Sequence, residues 1–379
     1  MSNEIEKLQI ALQKDPSNFQ IRRQLTILLI ENGFNEEALS NLKYLIKYFP
    51  NDEELHYNLG ILYEKMKDFE NAKKSYQKAI EISPQDDFYY NLGEVLVSLQ
   101  DWDSAIDAFK KVIINDKQDG NCFFNLGLCY YHKAEFNLAI DNFQLAINLN
   151  PKDVFAHFYL GCIYQNRGLT NFAKESYKNV LNITPDYSWA YFNLASIAFN
   201  DGNMEEAKDY LLKTIESNKN DIEAYKLLVK IFVKSNELED IIQILETRLN
   251  SDENGDLYYI LAQVYKRTGM ASEYIKKLEK SIEFKLSLTY PLDIVKKELE
   301  IAKKQNKLEV NDMPEYSMDS DSNNEYDYDS DDEEYDSDDE DEEYDYDSDD
   351  EEYNSDDEDE EYDYDSEDED DDNIEDNEI

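Results

Sequence analysis

The sequence predicts an all-α fold: a solenoid of paired helices over residues 1–308, followed by a disordered acidic tail over residues 309–379. Three observations predict it. One pattern of apolar and small residues recurs five times between Glu53 and Asp221. Within a copy the marks are spaced three, one and three, then four and three, which sets them on one face of each of two short helices. The charge is also divided: of 88 acidic and 37 basic residues, 42 acidic and no basic residues lie from 309 onward.

The elements follow in order. Residues 2–15 form an amphipathic segment with Leu8 and Ala11 on its apolar side, and align with the second helix of a pair whose first helix is missing. A looser pair over 19–52 carries Leu25, Leu29, Ala38, Leu42 and Leu45, with Thr26 where later copies have Gly. The central copies read His56-Leu59-Gly60-Tyr63-Ala72-Tyr76-Ala79-Pro84, Tyr89-Leu92-Gly93-Leu96-Ala105-Phe109-Val112 and Phe123-Leu126-Gly127-Tyr130-Ala139-Phe143-Ala146-Pro151. They continue as His157-Leu160-Gly161-Tyr164-Ala173-Tyr177-Val180-Pro185 and Tyr191-Leu194-Ala195-Ala198-Ala207-Leu211-Thr214. Gly60, Gly93, Gly127, Gly161 and Ala195 stand 33, 34, 34 and 34 residues apart, and Pro16, Pro50 and Pro84 keep the same 34-residue step. The small residues let two helix backbones approach, and the large ones fill the space left. Proline has no N–H and restricts its predecessor, so the second helix of the Gly60 copy is expected to stop near Ile82.

This eight-position pattern resembles the tetratricopeptide repeat, a helix-turn-helix unit of 34 residues. The resemblance covers roughly residues 2–288 and implies a superhelical solenoid in which nearest-neighbour packing supplies the stability, since one unit cannot bury its apolar face alone. Two weaker pairs follow the central five, one with Tyr225, Leu228, Phe232, Ile241 and Leu245, the other with Tyr258, Leu261, Ala262, Tyr265, Leu278 and Ser281. The count is then about seven to eight hairpins. A last segment, 290–307, has Leu292, Val295, Leu299 and Ala302 on one stripe and lysines elsewhere, as a solvating end helix needs.

From Glu309 the composition belongs to another class. Glu325–Glu342 is an 18-residue Asp/Glu/Tyr-rich unit that Glu343–Glu360 repeats with one change, Asp336 to Asn354. Such a segment cannot bury a core and is expected to be disordered and extended by self-repulsion. It reads first as a solubilising bristle, next as a polyanion for basic partner proteins, and last as a loose calcium binder, because Asp332 stands where a calcium loop needs Gly.

The enzyme classes find no support. No Gly-rich phosphate loop or His-Glu-x-x-His is present, and His56, His132 and His157 have no partners for a triad. Cys122, Cys129 and Cys162 lack metal-ligand spacing and read as small buried apolar residues. No catalytic residue, metal or cofactor is expected. The start of the chain lacks a basic-then-apolar leader and no stretch is long enough to span a membrane, so a cytoplasmic protein is expected.

The resemblance implies that first helices line the inner side of the solenoid. Two positions beside the packing marks then point into the groove. One holds Tyr57, Tyr90, Phe124, Phe158 and Phe192, and the other holds Asn58, Asn91, Asn125, Tyr159 and Asn193. An Asn amide offers two donors and an acceptor, so a row of them suits the backbone of an extended peptide, with the aromatics gripping side chains. The row is similar to the Asn ladder of protein O-GlcNAc transferases, which implies peptide binding; the chain has no room for their catalytic domain. Chaperone-binding members of the family clamp a terminal carboxylate; Arg23 and Asn58 match that clamp, whereas Ile27, Asp87 and Asn91 do not. Further along, Lys226, Lys230, Lys234, Lys266 and Arg267 turn the same positions basic, which suits acidic peptide, including the chain's own tail. The resulting expectation is an interaction scaffold or adaptor that takes a protein or peptide in its groove, without nucleic acid or membrane. The alternatives are a non-catalytic regulatory subunit of an enzyme and a polyanionic, chaperone-like protein acting on basic clients.

Overall fold

The computed structural model describes residues 2–115 and 118–311. The disordered tail expected from residue 309, with its 18-residue repeat, lies outside the described residues from 312 onward. Among the described residues all regular structure is helical. A lone helix α1 (Ser2–Lys14) precedes hairpin α2/α3 (Phe19–Glu31, Asn35–Tyr48). Then come α4/α5 (Glu53–Lys65, Phe69–Ile82), α6/α7 (Asp86–Ser98, Trp102–Asn115) and α8/α9 (Gly120–His132, Phe136–Leu149). The next are α10/α11 (Val154–Asn166, Thr170–Ile183) and α12/α13 (Ser188–Asn200, Met204–Ser217). Hairpins α14/α15 (Ile222–Lys234, Leu238–Ser251) and α16/α17 (Gly255–Arg267, Ala271–Glu283) follow. A 3-10 turn (Lys285–Ser287) leads to α18 (Leu292–Asn311).

Each hairpin closes where a first-helix backbone meets a second-helix side chain sixteen residues later. A Cβ built on Gly60 would lie 2.5 Å from the Tyr76 ring, on Gly93 2.6 Å from Phe109, on Gly127 2.7 Å from Phe143 and on Gly161 2.5 Å from Tyr177. Those four rings are wholly buried. Glycine stands there because the ring occupies the space of any side chain. Where the partner sixteen residues on is Leu (Leu42, Leu211, Leu245 and Leu278), the first-helix residue is Thr26, Ala195, Val229 and Ala262. Ring volume on one helix is traded for side-chain volume on the other.

The turns inside hairpins share one device. Each contains a single residue with positive φ: Gly33, Lys67, Gln100, Ala134, Gly168, Gly202, Asn236 and Gly269. The residue after it returns its N–H to the helix, as Asp68 does to the Tyr63 carbonyl at 2.8 Å and Leu169 to Tyr164 at 2.8 Å, which satisfies carbonyls that helix termination leaves open. At Pro16, Pro50 and Pro151 the proline between hairpins is followed two residues on by the cap of the next helix. Asn18, Asp52 and Asp153 accept from the N–H groups of Ile21, Leu55 and Ala156.

The C-terminal end is locked by carboxylates. On α18, Val295 and Ala302 are buried, with Leu299 packed beside them. Glu298 accepts hydrogen bonds from Tyr274 Oη (2.6 Å), Tyr259 Oη (3.0 Å) and Gln263 Nε2 (3.0 Å), with Lys266 Nζ at 3.3 Å. Burial alone would raise its carboxyl, but these donors outweigh burial and hold it below the usual carboxylate range. One step back, the buried Asp256 takes the Thr289 N–H at 2.7 Å.

Two measurements test this account. Gly127→Ala should cost about 1–3 kcal/mol in denaturant unfolding, and adding Phe143→Leu should recover part of that loss, because Ala with Leu is the pair used at Ala195 and Leu211. Glu298→Ala should cost about 1–3 kcal/mol at neutral pH by leaving its donors unpaired. Because the folded carboxyl is lowered, its contribution is full above the ordinary Glu value and lost as pH falls through the lowered one. The unfolding midpoint of the parent should therefore decline in acid more steeply than that of Glu298→Ala.

Candidate functional site

The first helices α4, α6, α8 and α10 meet through side chains, Tyr57 with Phe88, Asn125 with Tyr90 and Phe124 with Phe155, and α12 meets α14 through the Phe199 ring and Lys230. The aromatic position of this first-helix layer is half-buried and built into the hairpins. Tyr57, Tyr90, Phe124 and Phe158 each stand 5.8 Å, centroid to centroid, from the ring of their own second helix: Tyr76, Phe109, Phe143 and Tyr177. Tyr57 also meets Phe88 of the next hairpin at 4.7 Å, and Phe158 meets Tyr187 at 5.4 Å. The stripe fills the angle between successive hairpins and presents only its outer edge. Phe192, whose second helix offers Leu211 rather than a ring, packs against the C-terminal core.

The Asn row is tied to that stripe. Asn91 Nδ2 donates to Tyr57 Oη at 3.0 Å, and Asn125 Nδ2 donates to Tyr90 Oη at 3.3 Å. Each bond links neighbouring hairpins, and the Asn91 amide also reaches the Tyr76 hydroxyl. Phe124 has no hydroxyl to offer, and at the next step the row holds Tyr159 rather than Asn. Tyr159 stacks on Phe143 at 5.5 Å with 6° between planes. Phe158 also lacks a hydroxyl, and Asn193 turns to its own helix, donating to the Trp189 carbonyl at 3.0 Å. The inter-hairpin link is thus replaced by a ring stack at Tyr159 and by a bond within the helix at Asn193. One hairpin before α4 the Asn58 position holds Gln24 and the Tyr57 position holds Arg23, which is paired with Asp52 and lies over the Phe49 ring.

Of the expected contact residues, Tyr90, Phe124 and Asn125 come together. They line a depression of about 450 Å³ with Glu94, Asn121, Lys152, Asp153 and Phe155, spanning α6, α8 and α10. Burial lifts the Glu94 carboxyl above its usual value, against the Tyr90 hydrogen bond that lowers it. Phe155 is 56% exposed, and Trp189, at the same register one hairpin later, is 58% exposed. The sequence reading passed over both, because that register holds Glu54, Asp87 and Asn121 in earlier copies and carries no recurring type. The signal was available as an aromatic pair at a position otherwise polar.

The basic residues of α14 and α16 are partly engaged. Lys226 pairs with Glu223 at 2.8 Å and lies over the Tyr290 ring. Lys266 pairs with Glu298. Lys230 and Lys234 lie 5.3 and 4.8 Å from the Phe199 centroid and, with Arg267, make no ion pair among the described residues. The histidines are structural. His56 and His157 reach the carbonyls of Pro50 and Pro151 at 2.9 and 3.2 Å, the bond that Tyr191 makes to Pro185 at 3.0 Å, and His132 stacks on Trp102 at 4.5 Å. Cys122 and Cys129 are buried, and burial pushes the Cys129 thiol up to about 12. Among the described residues no cluster of His, Cys, Asp or Glu could hold a metal ion, and no helix is long and apolar enough to cross a membrane.

Stacked helical hairpins with a side-chain-lined first-helix layer define a repeat solenoid. Sequence models of the tetratricopeptide repeat match residues 53–86, 88–154 and 170–231, so these segments are tetratricopeptide repeats. No curated protein matches the chain. Among solved structures, MamA from Desulfovibrio magneticus RS-1 is 23% identical over 45% of this chain and 97% of its own, with a TM-score of 0.43. YrrB, described as a TPR protein with an unusual peptide-binding site, is 26% identical over 48% of this chain and 95% of its own, at 0.41. PilW, a type IV pilus biogenesis factor, is 19% identical over 56% and 98%, at 0.47.

The hydroxyl-to-amide links have a measurable weight. Tyr57→Phe and Tyr90→Phe should each lower stability by about 1 kcal/mol in denaturant unfolding, since each leaves an Asn donor without its partner.

Proposed function

We propose that this chain is a non-catalytic protein-interaction scaffold that holds an extended segment of a partner protein along its first-helix layer. The observation that carries the reading is the depression between α6, α8 and α10. Its aromatic floor, Tyr90 and Phe124, is fixed by packing against second-helix rings. Its rim carries Phe155, exposed beyond what the core requires. Rigid rings at the floor cost little entropy on binding, and exposed aromatics supply most of the energy in protein interfaces. The polar groups around them, Asn121 and Asn125 among them, suit a peptide backbone. The further contacts belong to the same reading: the outer edges of Tyr57, Phe158 and Phe192, the remaining amide groups of Asn58, Asn91 and Asn193, and Lys226 and Lys230 beyond them.

The test is quantitative affinity capture with the full chain and a Phe155→Glu variant. Phe155 is exposed, so the variant should keep the helical signal and unfolding midpoint of the parent. It should lose at least tenfold in recovery of the principal bound protein. Equal recovery by parent and variant would remove the depression from the binding surface.

A further inference from the structure

The first-helix layer changes character in three blocks along the array. The register positions that reach its surface are acidic in α6, where Asp87 is exposed and Glu94 is half-buried on the wall of the depression. In α10 and α12 those positions are uncharged and aromatic, ending in the exposed pair Phe155 and Trp189. In α14 the Phe155 register holds Glu223, which is paired with Lys226, while Lys230 and Lys234 rest on the Phe199 ring and pair with no carboxylate among the described residues, so the unpaired charge there is basic. This order runs against the composition. Residues 1–308 hold 46 acidic and 37 basic residues, so a net-basic stretch on one face runs opposite to the average surface. Elsewhere Lys73, Lys174 and Lys208 are paired, to Asp101, Asp201 and Glu237.

From this we infer that the bound segment is itself charge-ordered: a basic end over α6, an apolar and aromatic middle over α10 and α12, and an acidic end over α14. The inference rests on the binding surface proposed above and names the chemistry of its ligand. Length follows from geometry. First helices α6 to α14 are four hairpin steps apart, at roughly 10 Å per packed helix. An extended chain rising about 3.3 Å per residue crosses that distance in about 12 residues. A uniform polyanion is a poor fit, because any ligand reaching Lys230 and Lys234 along the layer also meets Glu94 and Asp87. A nucleic acid strand would be repelled at one end by the charges that favour its other end. The cation–ring contacts at Phe199 hold the two ammonium groups in place, which reduces the ordering cost when a carboxylate arrives.

The experiment uses the full chain and three fluorescent peptides that share an apolar, Phe-containing core of eight residues. Their ends are lysines at one side and glutamates at the other, lysines at both, or glutamates at both. Anisotropy at low salt should rank the mixed peptide first by about tenfold. In Lys230→Glu/Lys234→Glu the preference should pass to the peptide with lysines at both ends. In Asp87→Lys/Glu94→Lys it should pass to the peptide with glutamates at both ends. The acidic tail attracts any lysine-rich peptide, so the reading is the change in rank between parent and variant, which share that tail. Equal affinities for all three peptides in the parent, or an unchanged rank in both charge-reversed variants, would overturn the charge order while leaving the binding surface standing. A mixed peptide that binds Phe155→Glu as tightly as the parent would instead take away the surface itself. A single-stranded oligonucleotide that binds better than every peptide and is released by Lys230→Glu/Lys234→Glu would reassign the basic block to nucleic acid.

Discussion

The approach of two backbones inside a hairpin constrains everything else. A tyrosine or phenylalanine from the second helix lies against the first helix where Gly60, Gly93, Gly127 or Gly161 leaves no side chain. That contact fixes how far apart the two helices sit and how they are rotated. It therefore fixes which residues of the first helix are turned away from the second. The outward aromatic position gains its orientation from the same ring, since Tyr57, Tyr90, Phe124 and Phe158 all stand at one distance from it. Packing inside a hairpin and presentation of the first-helix surface are one geometry. A substitution that moved the ring would move the layer.

Stability and recognition draw on different atoms of the same residues. The stripe aromatics use their faces for the interior and their edges for the surface. Asn91 and Asn125 each spend an N–H on the neighbouring hairpin. This lets the first-helix surface be rigid without extra elements to brace it, which suits a thin array in which each unit touches only its neighbours. The C-terminal end is handled differently. Glu298 gathers two phenols and an amide onto one carboxylate and closes the array with polar bonds rather than another Gly–ring contact.

The fold was readable because its determinants recur. Leu59-Gly60 and Ala72-Tyr76-Ala79 return at fixed steps, and a repeated packing solution leaves a repeated signature. The relation between Gly and ring was less visible, although Ala195 with Leu211 and Thr26 with Leu42 stood in plain view; it appears only when positions sixteen apart are compared across copies. The Asn row was visible as a row, but not its bonds, because a hydroxyl 34 residues earlier lies outside any local pattern. Phe155 and Trp189 escaped for the opposite reason to Gly60. Exposed residues that no packing contact demands have no cause to recur, and recurrence does not mark them. Lys230 and Lys234 were evident as basic residues, whereas only the fold shows that they rest on Phe199 and keep their charge uncommitted.

The hydroxyl-to-amide bonds join α4 to α6 and α6 to α8, and at Phe124 the series gives way to ring-on-ring contact. A directional bond resists sliding, while stacked rings shear past one another at little cost. Within the first-helix layer the stiffness is therefore uneven, firm from α4 to α8 and softer between α8 and α10, where the rings of Phe124 and Tyr159 meet. Bent along that layer, the array gives first beside Phe155, whose ring neighbours the same contact.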